Sequence, residues 1–299
     1  MSAGAWLRRR FGQAPSPVDE VHWAAAFAAS EVLRPLDDAE RSRLRALADT
    51  FLETRRFDTA CGLALADGMR ARVALEACLP VLELGLEDYR RVRNVLLYPA
   101  GFMVDQSWTD DAGVEHAREA ELVGEAWEAG PVILAWDDVA APLDGTNVVV
   151  HEFAHVLDAA NGRTNGFPAL GNAASARRWT DAFTAAYADH VARVEAGDDA
   201  FLDDYGAEDE AEFFAVIVET FFTWPENVAE GYPAVYEALV DYLRQDPLAR
   251  LARDGNTRSE DPRDDGMRKD GRRDDGTRDD GERDDGRRDD GTRDRMAPR

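Results

Sequence analysis

Two histidines and a glutamate stand in the pattern H-E-x-x-H, as His151, Glu152 and His155. On an α-helix, residues four apart lie one above the other on the same face, so both imidazoles can reach one metal ion. Glu152 lies about 100° around the helix from His151 and would flank the metal without binding it. From that position a general base can take a proton from a water held by the metal.

The residues around this pattern are typical of a buried helix. Most residues of the run 147–162, NVVVHEFAHVLDAANG, are apolar, and Asn161 and Gly162 at its end form a helix stop signal. The alternative interpretation is a pair of surface histidines beside a solvated glutamate. Because histidines on a solvated face seldom lie within so apolar a run, the pattern favours a metal site.

A catalytic zinc ion commonly has three protein ligands and one open position, so a third ligand must lie elsewhere in the chain. The stretch just after His155 reads DAANGR and offers no further histidine. Downstream, Glu212 and Glu219 lie seven apart on a predicted helix that begins near residues 208–210 and stops before Pro225. Both share an apolar face, where a carboxylate is costly unless it is paired or coordinated. From the residues alone, either glutamate could be the third ligand. Alternatively, either one could border solvent or form a salt bridge with an arginine.

The helices that position this site can be predicted from caps, periodicity and breakers. Helices are predicted over residues 19–29, over residues 38–57 with Asp37 or Asp38 as the cap, and over residues 67–78. Together they predict a helical N-terminal lobe of about residues 19–90. After the motif, residues 179–194 are predicted to be helical, with His190 on the surface.

Two extended segments precede the motif. Residues 93–104 (RNVLLYPAGFMV) are rich in β-formers, and Pro99 confines them to a sheet edge or a bend. Residues 131–136 (PVILAW) suit a short buried strand, and the polar stretch with His116 between the two segments suits a loop or hairpin. This order of strand, connection and motif helix indicates an α+β, zincin-like metallopeptidase domain, mostly helical with a small sheet.

Composition restricts the partners and the compartment. The formal net charge of −25 predicts no direct binding to nucleic acid or to an anionic membrane, since both require a cationic surface. The chain has no apolar run of about 18 residues that would span a membrane. Its N-terminal stretch has arginines but no apolar signal-peptide core, and its two cysteines form neither a disulfide framework nor a thiolate zinc site. We therefore expect a cytoplasmic protein.

The end of the chain has a different character. From residue 263 onward, a five-residue unit based on RDDG occurs again and again. It contains no apolar residue that could form a core. We expect residues 253–299 to be a disordered tail, residues 1–18 to be a flexible N-terminus, and residues 19–252 to be the zincin-like domain.

Several segments resemble one known family. HEFAHVLDAANG, YGAEDEAEFFAVIVETFF and YPAVYEALVDYLRQDP are similar to the Mlc titration factor A family of bacterial zinc metallopeptidases, and so are LPVLELGLEDY, VLLYPAGFMV and GEAWEAGPVILAWDDV. The likeness covers about residues 33–251. The family is itself related to the catalytic domain of anthrax lethal factor. The resemblance implies peptide-bond hydrolysis, a peptide or protein substrate and one Zn²⁺ per chain.

The resemblance also implies the roles of individual residues. The family's third ligand is the Glu of an A-E-x-F-A-V pattern, here Glu212, and a Tyr seven residues earlier, here Tyr205, lies beside the metal. His151, His155 and Glu212 are then the zinc ligands. Glu152 is the general base, and Tyr205 donates a hydrogen bond to the oxyanion.

Two further acidic residues are candidates for supporting roles behind the ligands. Asp158, one turn after His155, is expected to orient a ligand imidazole or else to face solvent near the helix end. Glu219 is expected to support the ligands from behind them.

The resemblance further implies binding to a transcriptional repressor of sugar uptake. An alternative is a binding protein that sequesters a regulator and keeps zinc for structure only, although a purely structural site has no use for Glu152 as a base. Another alternative is an amidase that uses the same zinc-water chemistry on acyl amides.

Overall fold

The computed structural model describes residues 17–100, 107–109, 115–117, 131–143, 145–198 and 201–259. Most of the predicted N-terminal extension and all of the RDDG repeats lie outside these residues. The elements that carry the candidate site belong to one compact unit that extends to Asn256.

Three helices form the N-terminal part, as predicted: α1 (Glu20–Ala29), α2 (Asp38–Thr54) and α3 (Asp67–Cys78). Helix α2 begins with a capping box. The Asp37 carboxylate accepts a hydrogen bond from the Glu40 N–H at 2.8 Å, and the Glu40 carboxylate accepts one from the Asp37 N–H at 3.0 Å. Of the two predicted caps, Asp37 is therefore the residue that caps α2.

The chain also forms short strands. They are β1 (Arg56–Thr59), β2 (Asn94–Tyr98), β3 (Ser107–Thr109), β4 (Glu115–Ala117) and β5 (Val132–Ala135). Strands β1, β2 and β5 form a parallel sheet in the order β1-β2-β5. Strands β3 and β4 are antiparallel, with Trp108 opposite His116, which confirms the predicted hairpin. Strand β1 was not predicted, because its residues follow α2 directly and were assigned to that helix.

The strand positions agree with one prediction and differ from another. Of the two possibilities predicted for residues 93–104, an edge or a bend at Pro99, the structure has the bend, because β2 lies between β1 and β5 and ends at Tyr98, just before Pro99. Strand β5 lies at the edge instead. Its Ile133 is 49% exposed, whereas Val132 and Leu134 on the opposite face are buried.

The second half of the unit is helical. Its helices are α4 (Trp136–Ala140), α5 (Val148–Asp158), α6 (Ala173–Ala196), α7 (Glu210–Thr223), α8 (Pro225–Gly231), α9 (Pro233–Leu243) and α10 (Pro247–Ser259). Proline opens the last three, a position where its missing N–H has no helical partner to lose. Helix α10 crosses residue 253, at which the disordered tail was predicted to begin. Within the described ranges, every helix is too short or too polar to span a bilayer.

The motif helix α5 is fixed between the N-terminal helices and α7. Phe153 on α5 packs against Phe51 of α2 and against Tyr89, with ring centroids 5.6 Å and 5.0 Å apart. All three rings are buried. Burying a large apolar side chain contributes about 1.5–3 kcal/mol, so this cluster holds one face of α5 rigidly. The predicted fold is confirmed in its coarse form, mostly helical with a small sheet.

Candidate metal centre

Helix α5 is terminated by side-chain and backbone signals at both ends. The Asn147 Oδ1 atom accepts a hydrogen bond from the Val150 N–H at 2.9 Å, which caps the N-terminus. Beyond the other end, Gly162 takes the left-handed conformation with φ of 92°, which a side chain would strain. These signals fix the length of α5, and its period then places His151 and His155 together on the side that faces α7.

Helix α7 supplies a carboxylate to the same place. The Asp209 carboxylate accepts from the N–H groups of Ala211 and Glu212, at 2.8 Å and 2.9 Å, and so fixes the first turn of α7. Glu212 lies in that turn with only 5% of its surface exposed. A carboxylate this buried requires a partner of opposite charge.

The three predicted ligands meet. The Glu212 Oε2 atom lies 3.3 Å from His151 Nε2 and 3.2 Å from His155 Nε2. All three ligand atoms lie within 4.8 Å of one another. No other group of three histidine, cysteine or acidic residues in the described part of the chain comes as close together.

The chemistry of these atoms fits a metal ion. Glu212 Oε2 is buried, and among the described residues it has no hydrogen bond of acceptable geometry. Such an atom is costly unless a cation neutralises it. Two imidazole nitrogens and one carboxylate oxygen form a donor set typical of catalytic zinc.

The charges of the ligands depend on one another. Burial alone would lower the pKa of His151, but the carboxylates of Glu212 and Glu219 outweigh burial and raise it to about 10. Burial alone would raise the pKa of Glu212, but the two imidazoles lower it to about 2. The imidazoles and the carboxylates thus stabilise one another's charged forms, and a metal that binds through Nε2 must compete with a proton for that atom.

Glu219, on α7, contacts both His151 and the residue that caps the start of α5, the helix that carries His151. Its Oε2 atom lies 3.1 Å from His151 Nδ1, and its Oε1 atom accepts a hydrogen bond from the Asn147 N–H. When the Nδ1 proton is donated to Glu219, the lone pair of Nε2 points toward Glu212. Sequence reasoning did not assign Asn147 to the site, although an Asn just before an apolar helix is an N-cap signal.

Asp158 is fully buried, so the predicted alternative that it faces solvent is wrong. Its carboxylate accepts hydrogen bonds from the N–H groups of Gly166 and Phe167, at 2.7 Å and 2.9 Å. Burial raises its pKa to about 6 even against these donors. Asp158 thus holds the loop that follows α5. Its action on a ligand imidazole stays a prediction.

Tyr205 lies on a single 3-10 turn, Asp204–Ala207, beside the cluster. Its ring centroid is 6.2 Å from that of His151, and 43% of its surface is exposed. Burial and the nearby Glu212 carboxylate raise the pKa of the phenol, which therefore stays protonated and able to donate.

His190 supports this turn, and its predicted surface position is wrong. It is 1% exposed, and its Nε2 lies 3.1 Å from the Asp203 carbonyl oxygen, one residue before the turn. A Cβ added to Gly206 would meet His190 Nε2 at 3.2 Å, so this glycine allows the close approach. The missed signal was periodicity, since the buried residues Trp179, Phe183, Ala186 and His190 follow one face of α6.

Glu152 follows His151 directly on α5. It lines a cavity of about 580 Å³ together with His151, Tyr205 and Glu219. Burial raises the pKa of Glu152, while the charges of the two histidines lower it less strongly. A carboxylate with a raised pKa beside a cavity and a metal-binding cluster is suited to accept and return a proton.

The sequence matches the family of glucose-regulated metallo-peptidases M90 over residues 4–244, and the chain belongs to this family. The predicted membership of a metallopeptidase family is therefore confirmed. The chain is 40% identical to Mlc titration factor A of Klebsiella pneumoniae (strain 342) over 249 residues, which cover 82% of this chain and 93% of that protein. It is 39% identical to Mlc titration factor A of Yersinia pestis (strain Pestoides F) over 236 residues, 77% of this chain and 87% of that protein.

Proposed function

We propose that the protein is a zinc-dependent peptidase. His151, His155 and Glu212 bind one Zn²⁺, and Glu152 is the general base. The observation that carries this proposal is the convergence of two Nε2 atoms on Glu212 Oε2, a buried oxygen that has no hydrogen bond among the described residues. Membership of a metallopeptidase family supports the same site.

The chain's own residues would divide the reaction as follows. A bound zinc ion supplies a water of lowered pKa, about 7, and polarises the substrate carbonyl. Glu152 accepts a proton from the attacking water, whose oxygen bonds to the carbonyl carbon. The carbon–nitrogen bond then breaks, and the departing amine takes the proton that Glu152 carried. Tyr205 donates a hydrogen bond to the oxygen that becomes negative.

Residues behind the ligands fix their orientation. Glu219 holds His151 through Nδ1 and so keeps Nε2 available as a ligand. We assign Asp158 a more distant role: it secures the loop after α5, and thereby the end of the helix that carries His155.

Metal content and peptidase activity, measured together, test this proposal. Purified wild type should hold about one zinc per chain, and Glu212→Ala should lose both the zinc and the activity. Glu210→Ala is the matched control, because Glu210 lies in the same helical turn but is exposed. If Glu212→Ala keeps its zinc, the third ligand must be another residue. If wild type holds no zinc even after reconstitution, the proposal of a zinc-dependent enzyme is wrong.

A second candidate function comes from the relatives, whose name describes titration of Mlc. We propose that this chain also binds a transcriptional repressor of that kind. The competing possibility is that binding is its only function and zinc is structural. Glu152→Gln distinguishes the two, since it should abolish hydrolysis and leave repressor binding and zinc content unchanged.

The domain limits and the cellular compartment are also proposed. We propose that residues 19–252 form a zincin-like catalytic domain, that the segments on either side are extensions, and that the protein acts in the cytoplasm. Limited proteolysis followed by an activity assay checks the domain limits: a fragment close to 19–252 should keep zinc and hydrolysis.

A further inference from the structure

The cavity beside Glu152 has mostly apolar walls. Its described apolar lining includes Leu143, Val148, Phe201, Leu202, Val216 and Trp224. At about 580 Å³ the cavity is much larger than the space one water needs for attack. It belongs to the size range of pockets that bury an organic group.

The helical period shows where this cavity lies relative to the chemistry. On α5, Val148 is one turn before Glu152 on the same face. On α7, Val216 and Thr220 follow Glu212 by one and two turns, so the wall extends about 12 Å along the helix from the third ligand. The cavity thus begins at the general base and continues away from the metal cluster for the length of a large side chain.

The two threonine hydroxyl groups in the cavity wall already donate hydrogen bonds to backbone carbonyls. The Thr220 hydroxyl donates to the Val216 carbonyl at 2.8 Å, and the Thr146 hydroxyl donates to the Leu143 carbonyl at 2.9 Å. The remaining polar lining, apart from the catalytic cluster, consists among the described residues of exposed acidic side chains. An anionic side chain would lose water there and meet groups of like charge.

Trp224 closes one end of the cavity. Its indole packs so closely on Gly145 that a Cβ at that position would overlap the ring. Gly145 also has a φ of 81°, which any other residue would adopt only with strain. Behind Trp224 and Leu143 lies a second cavity of about 410 Å³, which both residues also line. Trp224 therefore sets the depth of the first cavity.

We infer that this cavity receives a large apolar side chain, of leucine or phenylalanine size, from the residue just after the bond that is cleaved. This inference rests on the proposed peptidase function. Glu152 must return its proton to the departing amine, and that amine belongs to the residue after the cleaved bond. Val148 on α5 and Val216 on α7 both line the cavity beside Glu152, so a side chain that enters it from that amine would lie between these two helices.

A series of internally quenched peptides tests the inference with the zinc-loaded full chain. The peptides are identical except for glycine, alanine, aspartate, leucine, phenylalanine or tryptophan after the cleaved bond, and mass spectrometry locates that bond. We expect kcat/KM for leucine and phenylalanine to exceed that for glycine and aspartate by about 10- to 100-fold, the usual effect of burying one large apolar side chain.

Two variants change the cavity in opposite directions. Val148→Phe narrows it and should lower kcat/KM for the phenylalanine peptide more than for the alanine peptide. Trp224→Ala opens it toward the second cavity and should raise the ratio for tryptophan over leucine by about 10-fold. Val21→Phe, at an exposed position on α1, is the control and should leave every ratio unchanged. If Val148→Phe fails to fold, the tryptophan-to-leucine ratio of Trp224→Ala still tests whether this cavity receives the side chain.

The outcomes separate this inference from the proposal on which it rests. Cleavage of all peptides at similar rates, or a preference that follows the residue before the bond, would overturn the assigned cavity and leave the peptidase intact. Failure of zinc-loaded wild type to cleave any peptide would overturn both.

Discussion

The helix α5 and the turn that carries Tyr205 are two parts of one site, but they are held in place differently. Helix α5 has its own cap, its own stop signal and a buried face, so its sequence determines where His151 and His155 point. The turn Asp204–Ala207 is one 3-10 turn with an exposed tyrosine. Side chains from helix α6, distant in sequence, support that turn.

Two contacts provide this support. The His190 Nε2 atom lies 3.1 Å from the carbonyl of Asp203, and the Tyr187 hydroxyl donates to the carbonyl of Ala207 at 3.4 Å. The turn is thus tied to α6 on both sides of Tyr205. The two candidate histidine ligands are placed by their spacing on one helix, whereas the placement of Tyr205 depends on packing against α6 as well as on the local Asp203 cap.

The largest expected effect belongs to α5. Glu152→Gln keeps the size of the side chain but cannot accept a proton, so kcat should fall by about 10²–10⁴-fold. Zinc content, measured by elemental analysis, should be unchanged because Glu152 lies outside the proposed ligand set. A variant that loses its zinc would instead place Glu152 among the ligands.

The pH profile examines the same residue without a mutation. Glu152 acts as a base only when ionised, and burial raises its pKa above the ordinary value. As the pH falls through the pKa of Glu152, this residue gains a proton and kcat/KM should decrease. The residual activity of Glu152→Gln should not show this decrease at low pH. If the variant still shows it, the decrease must come from the titration of another group.

A smaller effect should appear where α5 itself depends on α7. Glu219 accepts from both His151 Nδ1 and the Asn147 N–H, whereas a glutamine has only one accepting oxygen. Glu219→Gln should weaken zinc binding by about 10–100-fold, measured by competition with a chelator. Glu226→Gln, at an exposed position on α8, is the control. Unchanged affinity in Glu219→Gln would show that α5 needs no support from α7.

Sequence reasoning succeeded where the signal was local. The limits of α3 follow from residues inside it or next to it, and its predicted range, 67–78, matches the structure. The proposed third ligand could not be chosen in this way, because Glu212 and Glu219 share one face of one helix. Spacing alone does not tell which carboxylate reaches both Nε2 atoms and which reaches Nδ1.

The errors occurred where distant packing decided the outcome. Strand β1 forms because β2 pairs with it, and its four residues had no strand pattern of their own. His190 is buried because the turn before α7 folds back over α6, which an alanine-rich helix does not reveal. The coarse fold class could be predicted, and the three candidate ligands and Glu219 could be named from the sequence, but the pairing of β1 and the burial of His190 could not.

The smallest predicted effect is the strictest test of the contrast between α5 and the turn. His190→Phe keeps a ring against Phe213, whose centroid lies 5.7 Å away, but removes the hydrogen bond to Asp203. Burial lowers the pKa of His190, so the neutral ring makes this bond at neutral pH. If the bond positions Tyr205, its loss should lower kcat by about 3–10-fold with little change in zinc affinity.

A double-mutant cycle then decides whether this loss acts through Tyr205. Tyr205→Phe alone should lower kcat by up to about 10²–10³-fold, the range for one oxyanion donor. Adding His190→Phe to Tyr205→Phe should cost almost nothing more, because the donor that His190 positions is already gone. If the two losses multiply instead, His190 acts on the rest of the site, and the turn is no more dependent on remote support than α5.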